Sequence, residues 1–192
     1  MTAGRPDRPG GRTGHVVLVG MMATGKTTVG RMLATALGRP FFDSDEMVEA
    51  RTGHTVAELF EASGESGFRA EESAALSEGL ADPTPSVIAA AGGAVLDPTN
   101  RRLIRQAEAD GGLVVWLQAD VAVLAERVVT GTHRPLLGDD PTANLTRLAT
   151  VREPLYAEVA GLRLPSDQAP DVLVDRLVAE VTGSPVPTGG AS

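Results

Sequence analysis

Gly20-Met-Met-Ala-Thr-Gly25-Lys26-Thr27 follows the apolar run Val16–Val19 and opens a stretch in which Val29, Met32, Leu33, Ala36 and Leu37 recur at helical spacing, with Gly38 where a C-terminal cap belongs. The string fits G-x-x-x-x-G-K-[ST]. A strand before it and an amphipathic helix after it are the context that turns such a string into a phosphate-binding loop, or P-loop. Gly20 and Gly25 permit the tight turn, so successive main-chain N–H groups and the helix N-terminus face phosphate oxygens. Lys26 then reaches the β and γ phosphates, Thr27 offers a hydroxyl to Mg²⁺, and Thr28 is a helix residue near the phosphates. The plain alternative, a glycine turn ahead of a helix with an exposed lysine, leaves the coincidence of strand, motif and helix unexplained.

Working outward, short apolar runs suited to buried parallel strands occur at Val87–Ala90 and Leu113–Leu117, with weaker ones at Phe41–Phe42 and Leu162–Leu164. Helical periodicity returns over Pro98–Ala109 and Asp120–Val129. Thr55-Val-Ala-Glu58 matches a capping box and predicts the start of a short helix. Strands alternating with helices imply an α/β fold, a parallel sheet covered on both faces, whose ligand site lies at the carboxyl ends of the strands. Residues 1–14 and 183–192 are rich in Gly, Pro, Ser and Thr and are expected to be mobile tails around one domain at 15–182.

The 192 residues suit one domain, and 42% hydrophobic with 22% charged residues is a globular composition. A formal charge of −8 disfavours nucleic acid and anionic membrane as partners while leaving room for a small anionic ligand in a local basic cleft. Without cysteine there is no disulfide, no thiolate zinc site and no thiol nucleophile, and the 3 histidines lack metal-ligand spacing. No signal-peptide pattern and no run near the roughly 20 apolar residues of a membrane span is present, so cytoplasmic residence is the expectation; a monomer is expected as well. Of 17 basic side chains only Lys26 is lysine, which excludes the Asn-Lys-x-Asp guanine-reading motif of small GTPases.

Phe41-Phe-Asp43-Ser-Asp45 runs a strand into two carboxylates. If the strand continues, its period of two puts Asp43 and Asp45 on one side at the sheet's carboxyl edge. One could support Mg²⁺ through water while the other accepts a hydrogen bond from the hydroxyl that receives phosphate. Alternatively both merely cap the next helix.

Beyond these come Gly64-Glu65-Ser-Gly-Phe68-Arg69-Ala-Glu-Glu72, Ala91-Gly92-Gly93, His133-Arg134-Pro135 and Arg152-Glu-Pro154-Leu-Tyr156. In this order and spacing, over roughly residues 15–180, the chain resembles the shikimate kinase family. The resemblance implies a three-layer P-loop NTPase fold, with a five-stranded parallel sheet, helices on both faces, substrate-binding helices and a lid at about 127–140. It also implies ATP- and Mg²⁺-dependent phosphorylation of the 3-hydroxyl of shikimate. Carried over, Ala23, Thr24, Gly25, Lys26, Thr27, Thr28, Arg127, Arg134 and Gln168 would hold ATP, and Thr27 and Asp43 would serve Mg²⁺. Asp45, Arg69, Gly92, Gly93 and Arg152 would hold shikimate. Lys26, Asp45 as general base and Arg134 as an arginine finger in cis would carry the chemistry, and Glu72 would orient Arg69.

Two arginines suit this role independently, because planar guanidinium forks meet a carboxylate as a lysine cannot. Gly92 and Gly93, at a strand end, allow close approach of a ligand to the backbone, although a plain turn would look the same. Trp116 and Tyr156 are expected in the core, and His15, His54 and His133 have no partner pattern. Ala91 and Ala23 stand where the family usually has glycine. If the glycine usual at position 91 needs positive φ, Ala91 would be strained; if it does not, the substitution is nearly silent. A kinase for another hydroxylated carboxylate such as gluconate, or a nucleotide-binding switch without turnover, are the competing functions.

Overall fold

The apolar run ahead of the P-loop becomes the central strand β1 (Val16–Val19), each of whose side chains is buried. The computed structural model of the protein describes residues 11–129 and 140–184. Around β1 lie β2 (Phe41–Asp43), β3 (Val87–Ala89), β4 (Leu113–Gln118) and β5 (Leu162–Pro165), all parallel, in the order β2-β3-β1-β4-β5. Val16 aligns with Val87 on one side and Leu113 on the other. A parallel strand buried on both faces needs apolar residues at every position rather than alternate ones, which is why these runs are legible as unbroken hydrophobic segments.

Period two then divides the core. Val16 and Leu18 face α1 (Lys26–Leu37) and α7 (Pro170–Thr182) through Val29, Leu33, Leu173 and Leu177. Val17 and Val19 face the opposite layer of α3 (Val56–Ala81), α4 (Pro98–Ala109), α5 (Val121–Val129) and α6 (Pro141–Val159). A third, smaller cluster of Val48, Leu59, Phe68 and Ala75 joins α2 (Ser44–Thr52) to α3 beside the sheet.

Three local expectations change. The buried face of α1 is Val29, Gly30, Leu33 and Ala34, while Met32 and Ala36 are exposed. The apolar stripe is therefore turned toward Gly30, where the helix comes so near the sheet that an added Cβ would overlap the Phe41 ring. Thr55 does form the capping box with Glu58, but the helix it starts is not short. It continues to Ala81 across a break at Gly64, whose φ of 64° and ψ of −174° suit glycine.

Residues 11–14, expected in the leading tail, are tied down. Arg12 N donates to Val181 O and Gly14 N to Gly111 O, and the Arg39 guanidinium bonds the carbonyls of Arg12 and Gly14. At the other end Gly183, in the left-handed region, caps α7. Among the described residues no helix is long and apolar enough to cross a membrane.

The strand order sends the connection leaving β1 toward β2 and the one leaving β3 toward β4, in opposite directions from neighbouring strands. Such a switch point opens a crevice at the carboxyl ends, and here it falls between the P-loop and residues 90–93.

Gly30→Val should lower unfolding free energy by about 1–3 kcal/mol through overpacking of the α1–β2 contact. Urea titration checks this, and an unchanged midpoint would mean that α1 does not approach the sheet so closely.

Candidate active site

The chain leaves β1 at Gly20, with φ of 144° and a backbone so close to β4 that a Cβ would overlap Leu117 O. The loop then folds on itself. Thr24 is buried and its Oγ1 donates to Met21 O at 2.8 Å, so only its main chain can serve a ligand. Gly25, with φ of 86°, stands at the N-cap of α1 and supplies no side-chain cap. The first-turn amides are thus left for an anion, where the helix dipole also favours negative charge. Lys26 Nζ donates to Gly20 O at 2.9 Å and Met21 O at 2.8 Å, which lays the ammonium across the mouth of the loop. Thr28 is exposed on the cavity wall.

The carboxylates arrive by a different route from the one expected. β2 ends at Asp43 and Ser44 already begins α2, so Asp43 is the N-cap and Asp45 lies in the first turn. Asp43 Oδ1 accepts from Asp45 N at 3.1 Å, and its Oδ2 accepts from Thr27 Oγ1 at 2.7 Å. One oxygen thus caps α2 while the other meets the first helical turn after the P-loop. Both aspartates line the same cavity, of about 370 Å³, with the P-loop, Ala89–Gly92 and Arg127. Ser44, which no motif singled out, stitches the two strand ends together: its Oγ donates to Ala89 O and accepts from Ala91 N, each at 3.0 Å.

Thr27 and Asp43 suit Mg²⁺. They are hard oxygen donors already in contact, and this ion commonly takes one or two protein oxygens and completes its shell with water and phosphate.

Arg127 closes the far side. Its Nη1 donates to Ala23 O at 3.3 Å and its Nη2 to Ser166 O at 2.8 Å, so α5 joins the P-loop to the segment after β5. Gln168 stands exposed in that segment and does not line the cavity. Arg134, and residues 130–139 of the lid expected at about 127–140, lie outside the described residues.

Of the two alanines at usual glycine positions, Ala23 has φ of 62° and is the only non-glycine with positive φ among the described residues. Ala91 is not in that region. The strain foreseen for one alanine is carried by the other, inside the phosphate loop.

The other pole of the site is cationic. Arg69 lies across Gly93, where a Cβ would overlap its guanidinium, and it pairs with Glu72 and Glu65 of its own helix. Arg152 comes from α6 and is buried, with Nη1 at 3.5 Å from the Cβ position of Gly92. Neither Arg69 Nε nor Arg152 Nε has a hydrogen-bond partner among the described residues, and both atoms are shut from solvent. Buried donors of this kind are costly unless matched, and a planar anion is the match.

Burial pushes the Glu72 carboxyl above its ordinary range. Arg69 draws it back, the Asp45 charge adds to the rise, and Arg152 opposes it. Burial also lowers the pKa of Arg152, an effect countered by Tyr156 and reinforced by the positive charge of Arg69. Arg69, Arg152, Glu72 and Asp45 therefore act on one another, as motif order alone could not show. A cavity of about 380 Å³ near Pro83, Leu103 and His15 is as large, but His15 is engaged there by Ser86 and Asp82 O. No such set of charges converges on it.

Two measurements follow from this geometry. Ala23→Gly relieves left-handed strain and should raise unfolding free energy by about 1 kcal/mol, seen as a higher Tm; a lower Tm would place the strain elsewhere. Glu72, with its pKa raised in the fold, stabilises the chain fully below the ordinary carboxylate range and loses that contribution as pH rises through its raised value. Urea titrations from mildly acidic to neutral pH should show this decline, and Glu72→Gln should flatten it; equal slopes for the two proteins would mean Glu72 titrates normally.

Comparison with known proteins identifies the family. The family profile for shikimate kinase matches residues 22–182. The chain is 46% identical over 157 residues to the shikimate kinase of Symbiobacterium thermophilum, covering 80% of this chain and 87% of that one. It is 48% identical over 147 residues to that of Burkholderia thailandensis, covering 76% and 77%. The solved structure of shikimate kinase from Acinetobacter baumannii in complex with shikimate superposes with a TM-score of 0.80 at 38% identity, over 86% of this chain and 91% of that one. A gluconokinase from Sinorhizobium meliloti follows at a TM-score of 0.64 and 25% identity, over 88% and 92%. The order of motifs, the sheet and the paired arginines opposite the phosphate loop thus have one common explanation: the chain belongs to the shikimate kinase family.

Proposed function

We propose that this chain transfers the γ-phosphoryl group of ATP to the 3-hydroxyl of shikimate, yielding ADP and shikimate 3-phosphate on the route to chorismate. The observation that carries this is the pair of arginines, Arg152 buried and Arg69 partly so, whose shielded Nε atoms have no partner among the described residues and whose guanidiniums border Gly92 and Gly93 beside the P-loop. A phosphate cradle and a carboxylate clamp then face each other. The acceptor is a small carboxylate whose hydroxyls can reach Asp45 while Arg69 and Arg152 hold its anionic end. Asp45 takes the hydroxyl proton as the oxygen forms its bond to phosphorus and the bond from the γ-phosphorus to the β–γ bridging oxygen breaks. Because phosphoryl transfer passes through a loose transition state, placement and charge matter more than base strength.

Lys26 neutralises charge on the moving group, and the α1 amides hold the phosphates that stay with ADP. Thr27 directly and Asp43 through water would hold Mg²⁺, which supplies charge neutralisation on the β and γ phosphates when bound. Arg127 supports the adenine side. Arg134 from the lid would add charge at the phosphates. We further assign the chain to the cytoplasm as a monomer, with one kinase domain at 15–182.

A coupled ADP-release assay with shikimate, gluconate and quinate as acceptors tests the assignment. Turnover is expected with shikimate, at a kcat/KM far above that for the other two. A protein that binds ATP yet forms no shikimate 3-phosphate would sink it. Arg152→Ala should raise the shikimate KM on the order of 100-fold, the size of a lost charge-assisted hydrogen-bond pair, with ATP binding kept. Loss of ATP binding with normal shikimate kinetics would reverse the assignment of the two subsites.

A further inference from the structure

A buried aromatic ring needs no hydroxyl to fill space, yet Tyr156, fully buried, carries one. It lies one helical turn beyond Arg152 on α6 and on the same face, since both point into the core. Its ring rests near Trp116, with centroids 5.8 Å apart, which fixes it from behind. The hydroxyl donates to Gly92 O at 2.6 Å and lies 3.8 Å from Met21 Sδ of the P-loop. Gly92 is itself wedged between the two halves of the site: its Cβ position is 3.3 Å from Gly20 O, 3.6 Å from Met22 N and 3.5 Å from Arg152 Nη1.

A phenol has one hydrogen to donate and two lone pairs to offer. With its hydrogen directed to Gly92 O, the oxygen keeps its lone-pair density for the Arg152 guanidinium, whose Nη1 borders the same Gly92. Burial raises the Tyr156 pKa, so the hydroxyl keeps that hydrogen across the working range. Glu72 also acts on Arg152, with a smaller effect than Tyr156.

We propose that Tyr156 is a positioning residue for the acceptor: its hydroxyl orients the Arg152 guanidinium and pins the Gly92 peptide against the P-loop, setting the distance between the carboxylate clamp and the phosphate cradle. This inference rests on the functional assignment above and deepens it. Tyr156 touches neither substrate. It acts through Arg152 and Gly92.

Steady-state kinetics on the full chain test it with Tyr156→Phe, Arg152→Ala and the double variant. Tyr156→Phe is expected to raise the shikimate KM about tenfold, the loss of one hydrogen bond to a charged group, and to lower kcat because the acceptor is less well placed, while the ATP KM stays within about twofold. In the double variant the shikimate KM should match that of Arg152→Ala alone, because Tyr156 has nothing left to orient. Two results overturn the proposal: an unchanged shikimate KM in Tyr156→Phe, or effects of the two substitutions that simply multiply. A Tyr156→Phe protein of lower Tm whose two KM values rise together also overturns it, since that marks a packing role only. Wild-type protein inactive on shikimate would instead overturn the functional assignment, and the inference with it.

Discussion

The carbonyl of Leu117 leaves no room for a side chain where β1 becomes the phosphate loop. Everything downstream depends on that contact. Because Gly20 yields to it, β1 stays paired with β4 to its last residue, and the chain turns above the sheet edge instead of splaying from it. The loop so placed starts α1 with its amides uncapped by any side chain, and α1 can reach the sheet only because Gly30 also lacks a Cβ. The site is thus built by two absences of a methyl group and one left-handed alanine, held by a core whose strands are buried on both faces. Local strain of this sort persists only where surrounding packing over-determines it.

Charge is arranged against the average. The whole chain is acidic, at −8, yet Lys26 and Arg127 line the crevice and Arg152 and Arg69 border it at Gly92 and Gly93. Burying a guanidinium costs several kcal/mol unless its donors are met, and Glu72 meets only part of the requirement here. In the proposed reaction, an incoming carboxylate and polyphosphate would meet the rest. Ligand affinity is therefore prepared by leaving the folded protein electrostatically incomplete, while the acidic exterior lowers attraction for nucleic acid and other bulk polyanions.

Much of this was legible in the sequence because it depends on local pattern. All five strands fall on the apolar runs, Pro98–Ala109 is a helix with those limits, and the P-loop stands between the strand and helix that its motif requires. What escaped depends on tertiary distance. Alanine at 23 and at 91 look alike as text, and only the backbone shows which one sits at positive φ. The aspartates share a cavity, though not by strand periodicity, because Ser44 prefers to start a helix whose cap Asp43 supplies. Tyr156 is a core residue, as expected, but the direction of one hydroxyl gives it a partner sixty-four positions earlier. Ser44 carried no motif at all; a short polar residue between two acids at a strand end was its only trace.

The lone lysine has a chemical consequence outside catalysis. With sixteen arginines elsewhere, the ammonium resting on the carbonyls of Gly20 and Met21 is the only side-chain amine in the chain. Acylating or aldehyde reagents, which ordinarily scatter over a protein surface, find a single lysine target here, and it lies inside the phosphate cradle. Labelling stoichiometry at that amine therefore becomes an occupancy gauge for the nucleotide pocket, without any engineered tag.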